Sequence, residues 1–494
     1  MVGPNEAANQ KAANAATNNA AAEARRHAYL DDADYTLEEA LAEAKRCLNC
    51  AKPLCRTGCP IENEIPRFIQ AIARGNFGEA NDIIGERSNL PAVCGRVCPR
   101  EKQCEGHCIL NRANKPINIG KLERFAADFE SLHGLRRMKP IIKDQGKIGI
   151  IGSGPAGLTV ASDMAKLGYE VTIFEKQDEP GGILLYGIPA FRLSKEVVHR
   201  EINRLKALGV KFECNTVIGP NKTIDSLFEE GYDAIFIATG THVPMELPMR
   251  GDEKPGVLQA MALLTAVQLH QNGRVGDDAI PVQKGDCVVV IGAGNVAMDA
   301  ARTCVRLGAE SVTVAYRRGE ANMSANPSEY EEAKEENIQF KFYAAPSSVE
   351  GDVVVEGLRC EIQEPQEDGS IQPTGHYEVI PADKIIIAIG HKPNARLVGP
   401  GNGIEVNKDG YVVTREMPYG MTSRKGVFAG GDVVHKPATV VLAMRAAKKV
   451  VEGMVNYCEA KRYLGDLSGK NSSVSNSGLP LNRRRERRPH SPAS

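Results

Sequence analysis

The stretch KIGIIGSGPAGLTVASDMAKLGYEVTIFEK, residues 147–176, decides the fold. A β-branched run ends at a glycine turn, a helix-forming stretch follows, and a second β-branched run closes on Glu175, which reads as strand, turn, helix, strand. Gly152, Gly154 and Gly157 keep the G-x-G-x-x-G spacing. Small residues there let the backbone approach a pyrophosphate, whose charge is met by free N–H groups at the helix start. The unit recurs at 287–318, CVVVIGAGNVAMDAARTCVRLGAESVTVAYRR, with Gly292 and Gly294 in the first two places and Ala297 in the third. Pro155, Ala156, Asn295 and Val296 open the two helices. An α/β chain with two dinucleotide-binding, Rossmann-like domains is expected, and with it two nucleotide sites.

The ends of the second strands separate the sites. Glu175, next to Lys176, lies 23 residues past Gly152, where a carboxylate accepts hydrogen bonds from free ribose hydroxyls. The matching place in the second unit holds Tyr316, Arg317 and Arg318. A carboxylate would repel a 2′-phosphate, whereas guanidinium groups can pair with it, so the second site should prefer NADPH over NADH. Solvated surface arginines are the plainer alternative. Several features suggest FAD for the first site: Gly181-Gly182 and the loop LLYGIPAFRL, IFIATG ending at Gly240, DKIIIAIG ending at Gly390, and VFAGGDVV with Gly431 and Asp432 ahead of a helix near Ala438 and Thr439.

This order of motifs resembles the flavoproteins built from two dinucleotide-binding domains. The resemblance implies that Asp432 bonds the flavin ribityl chain, that the next helix aims its positive end at the flavin, and that the NADPH domain is inserted in the FAD domain. No C-x-x-C lies near Cys287 or Cys304, so a redox dithiol beside the flavin is not expected and electrons need another exit.

The amino-terminal third supplies one. RCLNCAKPLCRTGCP (46–60) and VCGRVCPREKQCEGHC (93–108) carry eight cysteines, at 47, 50, 55, 59, 94, 98, 104 and 108. Eight thiolates suffice for two four-ligand iron–sulfur clusters, and a run ending Cys-Pro commonly sends its last cysteine to the other cluster. Structural zinc usually shows paired C-x2-C knuckles, and only Cys47/Cys50 forms one. Ile65, Phe68, Ile69 and Ile72 fall on one helical stripe that should pack under the cysteine loops. The block resembles the amino-terminal domain of the glutamate synthase small (beta) subunit family and of dihydropyrimidine dehydrogenase, down to LPAVCGRVCP, CEGHC and PINIGKLERF. That resemblance implies two [4Fe–4S] clusters, one held by Cys47, Cys50, Cys55 and Cys108. The other would take Cys59, Cys98 and Cys104, with Glu123 or Cys94 as fourth ligand and Glu123 favoured. Cys214, Cys287, Cys304, Cys360 and Cys458 are read as packing residues.

The 494 residues carry 61 basic and 62 acidic side chains, so nothing points to nucleic acid as a partner. No apolar run approaches the ~20 residues a bilayer span needs, and the Ala/Asn-rich start is unlike a signal peptide, so a cytoplasmic protein is expected. The expected domains are an extension over 1–34, an α-helical iron–sulfur domain over 35–145, FAD-binding segments at 146–284 and 373–465, an NADPH-binding domain at 285–372 and a basic tail over 466–494. The resemblance implies an NADPH-oxidising subunit that passes hydride to FAD and single electrons through the clusters to a larger glutamate synthase subunit in a hetero-oligomer. A ferredoxin-like acceptor, as in ferredoxin-linked transhydrogenases or sulfide dehydrogenases, is the alternative. A non-catalytic scaffold is the remaining reading. No glutaminase segment or N-terminal cysteine nucleophile is seen, so glutamine chemistry is expected to reside in the larger subunit. Asn295 departs from the Asp often found at its turn position, and neither terminal extension matches the family.

Overall fold

The computed structural model describes residues 35–134, 141–219, 222–394 and 400–471. The expected extension over 1–34 and the tail beyond 471 lie outside the described residues. Residues 466–471, expected to begin that tail, continue the last helix, Val440–Asn471.

The amino-terminal part is helical. Its first helix, Leu37–Lys45, is fixed by a capping box in which the Thr36 hydroxyl accepts from the Glu39 N–H at 3.2 Å and the Glu39 carboxylate accepts from the Thr36 N–H at 2.8 Å. The helix Ile65–Ala73 buries Ile65, Phe68, Ile69 and Ile72, the stripe expected from the sequence. At about 1.5–3 kcal/mol per buried side chain, this face anchors the cysteine loops above it. Pro91–Val97 lies against Ile119–His133 so closely that a Cβ on Gly95 would stand 2.7 Å from the Arg124 nitrogen and 2.9 Å from the Gly120 carbonyl oxygen. Gly95 therefore sets the distance between the turn bearing Cys94 and Cys98 and the helix bearing Glu123.

The first sheet orders its strands Thr414–Glu416, Tyr419–Thr422, Val427–Ala429, Ala234–Ile237, Lys147–Ile151, Glu170–Phe174 and Lys211–Glu213. The last five run parallel, and the first two form an antiparallel edge. The central parallel strands Ala234–Ile237 and Val427–Ala429 are wholly apolar and buried, as strands covered on both faces must be, whereas the edge strand Lys211–Glu213 exposes both its charged residues. The second sheet is parallel throughout, in the order Val257–Gln259, Lys384–Ile387, Cys287–Ile291, Ser311–Tyr316 and Gln339–Phe342. An antiparallel meander, Ala344–Glu350, Gly357–Pro365 and Ile371–Pro381, adjoins it.

The second sheet is thus inserted in the first, but it is wider than the expected 285–372. Val257–Gln259 and Lys384–Ile387 complete it, because a strand at 384–387 satisfies its backbone groups against Cys287–Ile291. Within the DKIIIAIG run the strand Lys384–Ile387 belongs to this second sheet, and Gly390, with φ +109°, follows it next to the segment that returns to the first sheet. The chain enters and leaves the insertion through a short antiparallel ribbon, Val243–Pro244 with His391–Lys392.

Candidate functional site

Two thiol-lined cavities open in the helical part. Cys47, Cys50, Cys55 and Cys108 line the first, with Leu48, Lys52, Leu54, Ile65, Ile69, Ile109 and Ile119 among its walls. Burial pushes the Cys55 thiol up to about 12, with Cys108 and Cys47 adding to the effect. Cys59, Cys94, Cys98, Cys104 and Glu123 line the second, beside Arg100, Ile65, Ile119 and Val441. Burial lifts Cys59 to about 11 and holds Cys104 well above the usual range. Thiols held protonated in this way must give up their protons to ligate iron. Among the described residues no three such side chains converge on the single point that one metal ion would need. The thiols instead ring two openings.

Both candidates for the fourth ligand of the second set reach its cavity. The Glu123 Oε1 is buried without a hydrogen-bond partner in the structure. Burial raises this carboxyl to about 8, partly offset by Arg100. It lies near Cys59, Cys98 and Cys104, whose thiols it raises. Cys94 already has a partner, the Met444 sulfur at 3.6 Å, and also touches Cys98. A buried carboxylate oxygen without a protein partner, sharing a cavity with the thiols of Cys59, Cys98 and Cys104, fits the donor set of an iron–sulfur cluster.

At the first glycine turn, Gly152 has φ +100° and a Cβ there would stand 2.6 Å from the Ala238 carbonyl oxygen. At Gly157 it would stand 2.1 Å from the Gly152 carbonyl oxygen, whereas at Gly154 it would meet open space. Gly152 and Gly157 therefore serve the turn and the helix packing, and Gly154 alone leaves its backbone open to approach. Gly154 caps the helix Pro155–Lys166, and Gly182 sits directly over Gly154. Glu175 is buried; its Oε2 accepts from the Ser153 N–H at 3.0 Å and hydroxyl at 2.5 Å, and its Oε1 from the Gln177 N–H at 2.9 Å. A carboxylate offers about four lone-pair sites, so one is left for a ribose hydroxyl. Lys176 beside it is exposed.

Gly240, with φ +62°, turns the chain after the strand Ala234–Ile237. Gly431, with φ +75°, packs against Ala156, where its Cβ would lie 2.8 Å from that of Ala156. Asp432 is therefore held beside the start of the first glycine-turn helix. Burial raises its carboxyl to about 6, opposed by a hydrogen bond from the Ala438 N–H. Thr439 precedes the helix beginning at Val440, and its hydroxyl accepts from the Leu442 N–H at 3.4 Å.

The second turn repeats the first. Gly292 has φ +126° and a Cβ there would lie 2.4 Å from the Ala388 carbonyl oxygen. Gly294 caps Asn295–Leu307, and the Asn295 Oδ1 accepts from the Asn326 N–H at 2.9 Å. Asn295 thereby pins the loop covering the turn, a contact that Asp could also accept; Val296 follows it, half-buried. Arg317 and Arg318 are exposed and form no ion pair among the described residues, so both are free to meet an anion.

Sequence reading missed what joins these sites. Arg192, in the LLYGIPAFRL loop, reaches Asp299 of the second glycine-turn helix at 2.8 Å and also pairs with Glu329. Phe191 stacks on Arg306 with the guanidinium 3.9 Å from its centroid. Lys195 is buried and donates to the Leu184 carbonyl at 3.1 Å and to that of Ile188; burial lowers it to about 7, against Asp299. On the crossing ribbon, the His242 Nε2 is buried without a partner in the structure, and burial and nearby Lys176 lower that imidazole to about 4. Nothing in local sequence marks the contacts of Phe191 and Arg192, which join positions far apart in the chain.

Residues 17–135 match the family model described as dihydropyrimidine dehydrogenase domain II, 4Fe-4S cluster, and residues 146–447 match that described as pyridine nucleotide-disulphide oxidoreductase. The chain is 38% identical to a glutamate synthase [NADPH] small chain of Halomonas elongata over 86% of its own length and 92% of that protein's. It is 36% identical to that of Escherichia coli K12, over 85% and 92%. Among solved structures, Mycobacterium tuberculosis FprA in complex with NADPH shares the fold at TM-score 0.54 and 19% identity, covering 67% of this chain and 87% of that one. The chain is therefore an NADPH-dependent oxidoreductase with FAD/NAD(P)-binding domains and an iron–sulfur domain.

Proposed function

The chain belongs to the glutamate synthase small-chain family, and from that premise we propose that it oxidises NADPH and delivers the electrons through two [4Fe–4S] clusters to a larger redox subunit of glutamate synthase type. FAD is assigned to the turn at Gly152–Gly157 and NADPH to that at Gly292–Asn295. Bound flavin would supply the conversion of a two-electron donor into single electrons, with the clusters as their path.

The observation that carries this reading is a shared helix. Val440–Asn471 begins beside the Gly431–Asp432 turn, which packs on Ala156 at the first nucleotide site. In its first turn Val441 lines the second thiol cavity, and one turn on Met444 touches Cys94. Ile65 and Ile119 then wall both thiol cavities. These contacts support a path from the Gly152–Gly157 turn with Asp432 to the Cys59/Cys98/Cys104 cavity and on to the Cys47/Cys50/Cys55/Cys108 cavity, with the nucleotide at Arg317/Arg318 as the proposed donor.

Each residue has a task in that order. Arg317 and Arg318 bind the 2′-phosphate. Glu175 accepts from a ribose hydroxyl, and Asp432 from the flavin side chain. The Arg192–Asp299 pair holds the inserted sheet against the LLYGIPAFRL loop. Glu123 is assigned as fourth ligand of the inner cluster, leaving Cys94 to pack against Met444. The test is anaerobic titration of the purified chain with NADPH, following flavin absorbance and cluster EPR together. Bleaching of the flavin followed by two cluster signals supports the reading; an unchanged spectrum would refute it. Purification of the native complex tests the partner, since a companion without glutamate synthase relationship would overturn that assignment.

A further inference from the structure

The first thiol cavity opens onto a surface with an unusual combination of groups. Leu48, Leu54 and Ile109 line it while remaining 62%, 49% and 40% exposed. Large aliphatic side chains grouped at one opening mark a surface made to be covered. The two loops that carry them, residues 44–58 and 106–118, contain Lys45, Arg46, Lys52, Arg56, Arg112 and Lys115 but no Asp or Glu. Arg46 ties the loops together by donating to the Lys115 carbonyl at 2.7 Å, which brings Lys115 to the Cys47 edge. Arg46 and Arg56 are matched by Glu43 and Glu64. Lys52, Arg112 and Lys115 are exposed and form no ion pair among the described residues. In a chain of net charge −1, this concentration of unmatched positive charge around an apolar opening is local.

Resting on the electron path above, we propose that this face docks an acidic redox protein whose own apolar patch is ringed by carboxylates. The apolar centre excludes water between the outer cluster and the acceptor, while Lys52, Arg112 and Lys115 steer the encounter. Complementary charge of this kind acts mainly on association rate and is screened by salt. Each NADPH yields NADP+, one proton and two electrons, so two molecules of a one-electron acceptor are reduced per NADPH.

The experiment uses the cofactor-loaded full chain with rubredoxin, a small acidic one-electron iron protein, and cytochrome c, a basic one, as alternative acceptors. Rubredoxin reduction should slow steeply with ionic strength. The double substitution Arg112→Glu/Lys115→Glu, at two residues outside the cavity wall, should lower it by about tenfold or more at low salt and raise cytochrome c reduction. NADPH–benzoquinone activity, which needs no protein docking, should stay unchanged. Its absence in the unsubstituted chain would condemn the electron-path reading itself. Rubredoxin reduction indifferent to salt and to both charge reversals, with quinone activity intact, would overturn only the docking proposal. A gain in rubredoxin reduction on removing residues 1–34, unaffected by the reversals, would also overturn it by making that segment the occupant.

Discussion

Arg317→Glu is the sharpest test of nucleotide preference. Arg317 is exposed and makes no ion pair among the described residues, so replacing it should leave the fold intact, surface changes of this kind staying within about 0.5 kcal/mol. Its proposed partner is a dianionic 2′-phosphate. A hydrogen bond to a charged group contributes about 1.5–3 kcal/mol, which at about 1.4 kcal/mol per factor of ten is a loss of about 10- to 150-fold. Arg318 beside it retains part of the attraction, while the new carboxylate adds repulsion, so the figure should fall inside that range. NADH has no 2′-phosphate and should be almost unaffected. The assay is steady-state reduction of an artificial acceptor with each nucleotide, comparing kcat/KM. A ratio of NADPH to NADH efficiency unchanged by the substitution would refute the assignment of Arg317, and a parallel loss with both nucleotides would point to folding.

Further predictions follow from the other contacts. Gly152→Ala places a methyl 2.6 Å from the Ala238 carbonyl oxygen at φ +100°, a strain of about 1–3 kcal/mol before the clash; flavin content per chain should fall sharply, and full occupancy would count against the FAD site. Glu123→Ala should abolish the EPR signal of one cluster while Cys94→Ala preserves both, and the reverse pattern would make Cys94 the ligand. Arg192→Met leaves Asp299 and Glu329 buried without their cation, which should cost about 3–5 kcal/mol, read as a lower urea midpoint. Asp432 has its carboxyl raised to about 6 in the folded flavin-free chain. The folded state then holds the proton more tightly than the unfolded one, so this stability is present below about pH 4 and lost as pH rises to about 6. The thermal advantage of Asp432→Asn over the parent chain should therefore grow across that window, and a pH-independent difference would contradict it.

Much of this molecule is legible in its sequence because the signals are local. G-x-G-x-x-G between two β-branched runs specifies a strand, a turn and a helix within about thirty residues, and the stripe at Ile65, Phe68, Ile69 and Ile72 specifies which helix face is buried. Cysteine spacing marks the ligand loops, and Arg317 and Arg318 stand where the second strand ends. Those features depend on neighbours a few residues away.

Tertiary structure decided the rest. DKIIIAIG looks like any buried parallel strand, and only pairing with Cys287–Ile291 put Lys384–Ile387 in the second sheet. Arg192 and Asp299, 107 positions apart, become an ion pair only once the 184–193 loop packs on the helix Asn295–Leu307. Glu123 is an ordinary helical glutamate until Gly95 lets two helices close and leaves its oxygen buried among thiols. The sequence by itself determined which local units form and which chemistry they carry. Packing between distant segments determined which unit owns each strand, which carboxylate is buried beside the thiols and which apolar side chains stay exposed at a thiol cavity, because burial and hydrogen-bond satisfaction are properties of the assembled chain.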